Sequence, residues 1–126
     1  MKSFVTALVI TAAIVAGSVF YSMHIDDLSQ EMEKSNQEIM ELLHAEAFEQ
    51  AEERVQALSD FVDEKKIALA TTMDHSELDR IEMNLSELRG YVEGGMKTDA
   101  LARCEVLDVL FRHLPKNYKL KLENIL

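Results

Sequence analysis

Hydrophobic and polar positions divide this chain into one uncharged apolar stretch followed by several seams of helical period. No charged residue occurs from Ser3 to Met23, and Phe4 to Met23 is twenty residues, which at about 1.5 Å per residue makes a helix of roughly 30 Å, the thickness of a bilayer's hydrocarbon core. Its polar members, Thr6, Thr11, Ser18 and Ser22, are small enough to return hydroxyl hydrogen bonds to the preceding turn. Past Met23 the apolar positions step by three and four through Ile25, Leu28, Met32, Ser35, Ile39 and Leu42, a heptad seam that continues the first helix outward as a stalk. The seam ends near His44, because the next positions in phase are Glu46, Glu49, Glu53 and Gln56. A second seam starts in a new phase at Phe48, Ala51, Val55, Leu58 and Val62, with Phe61 beside it, and fades through Ile67, Leu69 and Met73. No Gly or Pro marks the join, so one bent helix and two helices both fit residues 24–73.

The next boundary is sharper. Asp74 with Glu77 three residues later reads as a capping box opening a third helix, whose seam is Leu78, Ile81, Leu85, Leu88 and Val92. Gly94 and Gly95 stop it. Thr98 is expected to cap a fourth helix carrying Ala100, Cys104, Leu107, Phe111 and Leu114, which Pro115 is expected to end because proline cannot continue the hydrogen-bond ladder. Beyond it Tyr118, Leu120 and Leu122 alternate with Lys119, Lys121 and Glu123 before Asn124, Ile125 and Leu126, the two-residue period of an extended segment. The predicted fold class is all-α: an N-terminal transmembrane helix continuing into an antiparallel four-helix bundle of two helical hairpins, with an extended C-terminal tail. A faint internal echo sets Glu46, Ala47, Phe48, Ala51, Glu52 and Leu58 against Asp99, Ala100, Leu101, Cys104, Glu105 and Phe111 at a 53-residue offset. It reads either as a duplicated hairpin, like the helix pairs of tetratricopeptide-like arrays, or as shared heptad statistics.

Charge adds orientation and excludes some partners. Lys2 and the amino terminus are the only basic groups before the span, whereas Asp26, Asp27, Glu31 and Glu33 follow it before Lys34. That bias points the N-terminus to the cytoplasm and the remainder outward. Residues 1–23 therefore form a membrane anchor and residues 24–126 an acidic extracytoplasmic domain, contacting the lipid bilayer through residues 4–23. Lys2, the apolar run and Val15, Ala16, Gly17 also resemble a cleavable signal peptide. Retention is the reading adopted, because apolar character continues through Val19, Phe20, Tyr21 and Met23. A pilin-like filament helix fits less well, since no acid lies within the run to pair with a neighbour's amine. The outer part holds all 23 acids and 12 of the 13 bases, a net charge of −11, which disfavours nucleic acid and anionic surfaces as partners. Four Gly, one Pro and no Trp agree with helices over sheet. The single Cys104 cannot make an internal disulfide.

Candidate chemistry is thin. No His-Glu-x-x-His, paired-cysteine, phosphate-loop or Gly-x-Ser-x-Gly element occurs. His75, Asp79 and Glu82 share a helix face, but three such residues are common in an acidic helix, and a solvated, capped helix start is the simpler reading. Cys104 lies on an apolar seam, as a buried thiol does. No catalytic residue, metal site or cofactor is expected.

The layout of the span, Phe48-x-x-Ala51, Asp74-His75-Ser76-Glu77-Leu78-Asp79-Arg80-Ile81, Leu85, Leu88-x-x-Tyr91, His113-Leu114-Pro115 and a closing Leu120-x-Leu122-x-Asn124-Ile125-Leu126 resembles domain-of-unknown-function family 4363. Its members are small membrane-anchored proteins of Gram-positive, often spore-forming bacteria. Phe48 stands where that family often has tryptophan. The resemblance implies an anchored helical domain and no established activity. It singles out Asp74, His75 and Asp79, with Tyr118, Leu120, Leu122, Asn124 and Ile125 of the tail, as a candidate interaction surface. The function expected is a non-enzymatic interaction or accessory subunit for another membrane or envelope protein. The alternative is an extracytoplasmic sensor or small-ligand carrier with a pocket between the hairpins. Partner identity and oligomeric state are not encoded in any recognisable pattern.

Overall fold

The computed structural model describes residues 1–71 and 73–125, without the side chains of residues 21, 22 and 115–125. The described residues form five helices: α1 (Lys2–His44), α2 (Phe48–Glu64), α3 (Lys66–Ala70), α4 (His75–Glu93) and α5 (Lys97–Ile125). No strand occurs among the described residues. α1 runs 43 residues from the apolar stretch into the bundle without interruption. It contains a window long and apolar enough to cross a membrane, none of it buried. The long helices form a ring in which α1 packs on α2 and α5, and α4 on the same two. α1 and α2 are joined by one tight turn and α4 and α5 by another, giving two antiparallel hairpins around one core that extends from Met32 to Leu114.

The join between α1 and α2 is a turn, which settles the choice between one helix and two. Glu46 takes a left-handed φ of 58°. The Glu46 amide donates to the Leu43 carbonyl at 3.0 Å and the Ala47 amide to the Leu42 carbonyl at 2.9 Å, the paired bonds that close a helix when the residue after its cap is left-handed. α4 ends identically. Gly95 has φ 67°, its amide reaches the Val92 carbonyl at 3.0 Å, and the Met96 amide reaches the Tyr91 carbonyl at 2.8 Å.

From these matching turns a repeat follows. Buried Ala51, Val55, Leu58 and Val62 of α2 correspond, 49 positions on, to buried Ala100, Cys104, Leu107 and Phe111 of α5. Met32, Ile39 and Leu43 of α1 correspond in the same way to Ile81, Leu88 and Val92 of α4. The echo at 53 residues is therefore corrected by four positions. A shift of four is close to one helical turn, so it keeps each residue on its face and lets a wrong register score nearly as well.

The seams of α4 and α5 are buried as their spacing predicts, from Leu78 to Val92 and from Ala100 to Leu114. α1 needs correction: its buried positions are Ile25, Leu28, Ser29, Met32, Asn36, Ile39 and Leu43, whereas Ser35 and Leu42 are half-buried. The heptad seam carries two polar residues, and Asn36 rather than Ser35 occupies it. α2 closes at Glu64. The short α3 then turns Ile67 out, 86% exposed, while burying Leu69, with Met73 buried just beyond it. Asp74 occupies the N-cap position of α4 in extended conformation. α5 starts at Lys97, so Thr98 lies within its first turn instead of capping it.

The largest correction concerns the C-terminus. α5 passes through Pro115 and stays helical to Ile125, so neither the helix end at Pro115 nor the extended tail of Tyr118, Leu120, Leu122, Asn124 and Ile125 describes the backbone. A proline inside a helix leaves the carbonyl four residues back without its amide donor. That carbonyl belongs to Phe111, and the buried Ser29 Oγ donates to it at 2.6 Å. The neighbouring helix supplies what the ladder lost. Past the proline, Tyr118, Leu122 and Ile125 step by four and three from Leu114, so the alternating residues also fit a helical seam.

Candidate functional site

Three places in the bundle gather polar groups. The first is the seam between α1 and α5. Ser29 and Asn36, one heptad apart, reach across to the carbonyls of Phe111 and Cys104, also one heptad apart: Ser29 Oγ donates at 2.6 Å and Asn36 Nδ2 at 2.8 Å. The equivalent positions of α4 are Leu78 and Leu85, so the polar pair breaks an otherwise apolar repeat. Asn36 Oδ1 is buried with no hydrogen-bond partner. Beside this seam, burial first and the Asp108 charge second raise the carboxyl of Glu33 above its ordinary value, against the lowering effect of Arg112.

The second place is the face between α2 and α4, where the helices leave an open depression of about 300 Å³. Ser59, Asp63 and Lys66 line one wall and Glu82, Ser86 and Arg89 the other. Lys66 Nζ lies 3.0 Å from Glu82 Oε1. The hydrogen bond and then the charge of Glu82 raise the Lys66 ammonium above its ordinary value against an opposing desolvation, with lesser upward pushes from the charges of Asp63 and Asp79. Beyond Arg89 a second shallow depression carries Glu49, Glu52, Glu53 and Gln56. The face is polar and open to solvent. It suits a charged partner surface or a small polar ligand, and it encloses no apolar cavity.

The third place is the junction of α3 and α4. Asp74, His75 and Asp79 are all exposed there, and the Asp74 carbonyl accepts the amides of Glu77 at 3.0 Å and Leu78 at 3.1 Å as α4 starts. Of the row His75, Asp79 and Glu82, the last two act on Lys66, and His75 is not among the residues of the α2–α4 depression. Among the described residues no three His, Cys, Asp or Glu side chains are grouped so as to hold a metal ion. Tyr118, Leu120, Leu122, Asn124 and Ile125 occupy the last turns of α5, and their side chains lie outside the described residues. The structure thus does not bring the two halves of the sequence-derived surface together as one described patch.

Sequence reasoning missed the α1–α5 pair and the α2–α4 face. The heptad interval between Ser29 and Asn36 was a readable signal for the first. The second had none, because Ser59, Asp63, Lys66, Glu82 and Arg89 fall on surface positions of three separate helices. Cys104 matches its expected role. Burial pushes its thiol up to about 12, with a smaller push from Glu105, which leaves it protonated and a poor nucleophile at neutral pH. Across α4 and α5, Arg103 Nη1 joins Asn84 Oδ1 and Glu87 Oε2, each at 3.2 Å, while Asn84 Nδ2 returns to the Arg80 carbonyl at 2.8 Å. These groups hold α4 and α5 together.

No curated protein and no solved structure matches the chain. A family model does, from residue 19 in the apolar stretch of α1 to residue 125 at the end of α5. With nearly the whole bundle inside that match, the chain belongs to the family described as "Domain of unknown function (DUF4363)".

Proposed function

We propose that this protein is a single-pass, membrane-anchored accessory subunit. Its N-terminus is cytoplasmic, its acidic helical domain lies outside the cell membrane, and its task is non-enzymatic binding of another membrane or envelope protein. One observation carries the reading: α1 is a single helix from an exposed apolar stretch of spanning length into the bundle core, where Ile25, Met32 and Ile39 are fully buried. A lone helix that displays apolar side chains all round its surface is stable in lipid. The bundle is then coupled to the membrane through helix rather than linker, which suits a part that holds a fixed position beside another protein. The protonated Cys104 and the inter-helix bonding of Arg103 and Asn84 support a binding role over catalysis. The acidic outer faces of α1 and α2 and the Asp74, His75 and Asp79 corner are the surfaces offered to a partner.

Photo-crosslinking from single sites on these faces in native membranes, followed by mass spectrometry, tests the reading. A recurrent integral-membrane or envelope partner is expected. Recovery of the chain alone from every site refutes a partner. Protease added outside cells stripped of any wall should digest the bundle and spare residues 1–23; an intact bundle refutes the topology. The depression between α2 and α4 favours a second reading, an extracytoplasmic sensor for a small polar ligand, because Lys66, Arg89, Asp63 and Glu82 present both signs of charge in one hollow. A ligand-dependent rise in melting temperature that Arg89→Gln abolishes would select it.

A further inference from the structure

We infer that α3 is a second lipid contact, with the face formed by Ile67, Ala70 and Thr71 resting in the headgroup layer where α1 leaves the bilayer. This rests on the membrane-anchored reading above. α1 leads away from the span and α2 returns along it. Their register is set at the turn, where the Ala47 amide meets the Leu42 carbonyl, and again further along, where Arg54 Nη1 lies 2.7 Å from Glu38 Oε2. Each step along α2 thus meets one step back along α1, and residue 67 comes level with residues 22–25. Helical bonds run through the join of α2 and α3: the Lys65 amide donates to the Phe61 carbonyl at 3.0 Å and the Leu69 amide to the Lys65 carbonyl at 2.9 Å. The chain therefore reaches that level without reversing.

Charge marks the same level twice. α1 is uncharged from Ser3 to Met23 and meets its first carboxylate at Asp26, whereas the returning chain has its last charge at Lys66 and stays uncharged from Ile67 to Met73. No other stretch beyond Met23 runs as far without a charged residue. Asp74 restores charge where α4 starts outward again.

The segment has two faces. Leu69 and Met73, four apart, are buried in the core, while Ile67, Ala70 and Thr71, at i, i+3 and i+4, share another side and are exposed. Ile67 is 86% exposed, the most of any large apolar side chain described beyond Met23. Thr71 turns its hydroxyl back to the Ala68 carbonyl at 2.7 Å, which satisfies it inside the segment. Lys66 Nζ lies 3.0 Å from Glu82 Oε1 of α4 and holds the segment to the bundle with that face outward. A lone exposed isoleucine is ordinary on a surface that meets only water. On an uncharged face at the depth where the span emerges, it has the position of an apolar side chain dipping into the membrane interface.

The chain has no Trp, so single-Trp variants of the full-length protein report position without background. Ile67→Trp, Ile14→Trp in the span and Met96→Trp in the turn between α4 and α5, at the opposite end of the bundle, are each reconstituted at high lipid excess. The vesicles are phosphatidylglycerol and phosphatidylcholine with a nitroxide at the headgroup or deep in the acyl chain. Ile67→Trp should lose fluorescence to the headgroup label, be shielded from aqueous iodide and emit to the blue of Met96→Trp, which should respond to iodide alone. Ile14→Trp should be quenched by the deep label. If Ile14→Trp behaves so but Ile67→Trp is reached only by iodide, the α3 contact is wrong and the anchor stands. Shielding of Ile67→Trp from iodide without quenching by either label also overturns the contact, because the side chain then packs against protein. Quenching of Met96→Trp to the same degree as Ile67→Trp means that the bundle lies flat, and the contact at α3 is again refuted. If Ile14→Trp escapes the deep label, the anchor itself fails and the inference with it.

Discussion

Ser29 supplies to the Phe111 carbonyl the hydrogen bond that Pro115 cannot, and the pairing is specific enough to test by a double-mutant cycle. Ser29→Ala alone strands a buried carbonyl and should cost about 1–3 kcal/mol in urea unfolding. In a Pro115→Ala background the amide of residue 115 returns to the ladder, and the same serine substitution should cost only about 0.5 kcal/mol. Equal costs in the two backgrounds would mean that the hydroxyl is not serving the proline. A second residue-scale effect belongs to Cys104. Its folded-state value of about 12 lies above its ordinary 9.0, so both states keep the proton below pH 9.0 and the stabilising effect is whole there. As pH climbs from 9.0 toward about 12, the unfolded thiol ionises first and that stability is lost. Wild type should therefore lose stability more steeply over this window than Cys104→Ala does. Parallel pH curves would contradict the buried, protonated thiol.

At the scale of elements, the turns and seams decide the fold. Glu46 holds a left-handed backbone where the equivalent turn of the second hairpin has Gly95. Glu46→Gly should raise stability by about 0.5–1 kcal/mol, because the conformation is strained for a residue with a Cβ. The lost contact with Lys97, at 3.8 Å from a largely exposed carboxylate, adds little. A fall in the unfolding midpoint would give that ion pair the larger share. Asn36 presents the opposite case. Its amide nitrogen bonds the Cys104 carbonyl, yet its Oδ1 is buried and unpaired. Asn36→Leu, the residue that α4 carries at the equivalent site, should gain about 1 kcal/mol by removing the orphan acceptor. A loss of that size would show that the bond to α5 outweighs it.

The same two features explain what was legible in the sequence. The seams of α4 and α5 could be read because every member is apolar and Asp74, Gly94 and Gly95 mark the ends. In α1 the expected Ile25, Leu28, Met32 and Ile39 are buried, but Ser35 and Leu42 fall one residue short of Asn36 and Leu43, because an apolar pattern steps over Ser29 and Asn36, whose place in the core depends on carbonyls of α5 that local sequence does not display. The helix beyond Pro115 was hidden for the same reason: its missing donor is replaced from another element. Of the candidate surface, the exposed Asp74, His75 and Asp79 corner was legible as a helix start. The α2–α4 face was not, since it exists only once two surface stripes are set side by side.

For the whole molecule, the anchor and the bundle should be separable in stability although they share α1. Among the described residues no part of the apolar window is buried, and the first that is fully buried is Ile25. A chain beginning at Met23 therefore loses no core contact, and α1 keeps the part of its length that packs on α2 and α5. That truncated protein should be soluble and helical, with an unfolding midpoint within about 4 °C of the full-length protein in detergent, the shift expected for less than 1 kcal/mol in a domain of this size. Its net charge of −11 opposes compaction, so its midpoint should rise as sodium chloride shortens the screening length from roughly 30 Å at 0.01 M to about 8 Å at 0.15 M. Collapse of helicity on truncation would show that the outer end of α1 supports the bundle, and a midpoint indifferent to salt would show that ion pairs such as Arg54–Glu38, at 2.7 Å, already balance the repulsion locally.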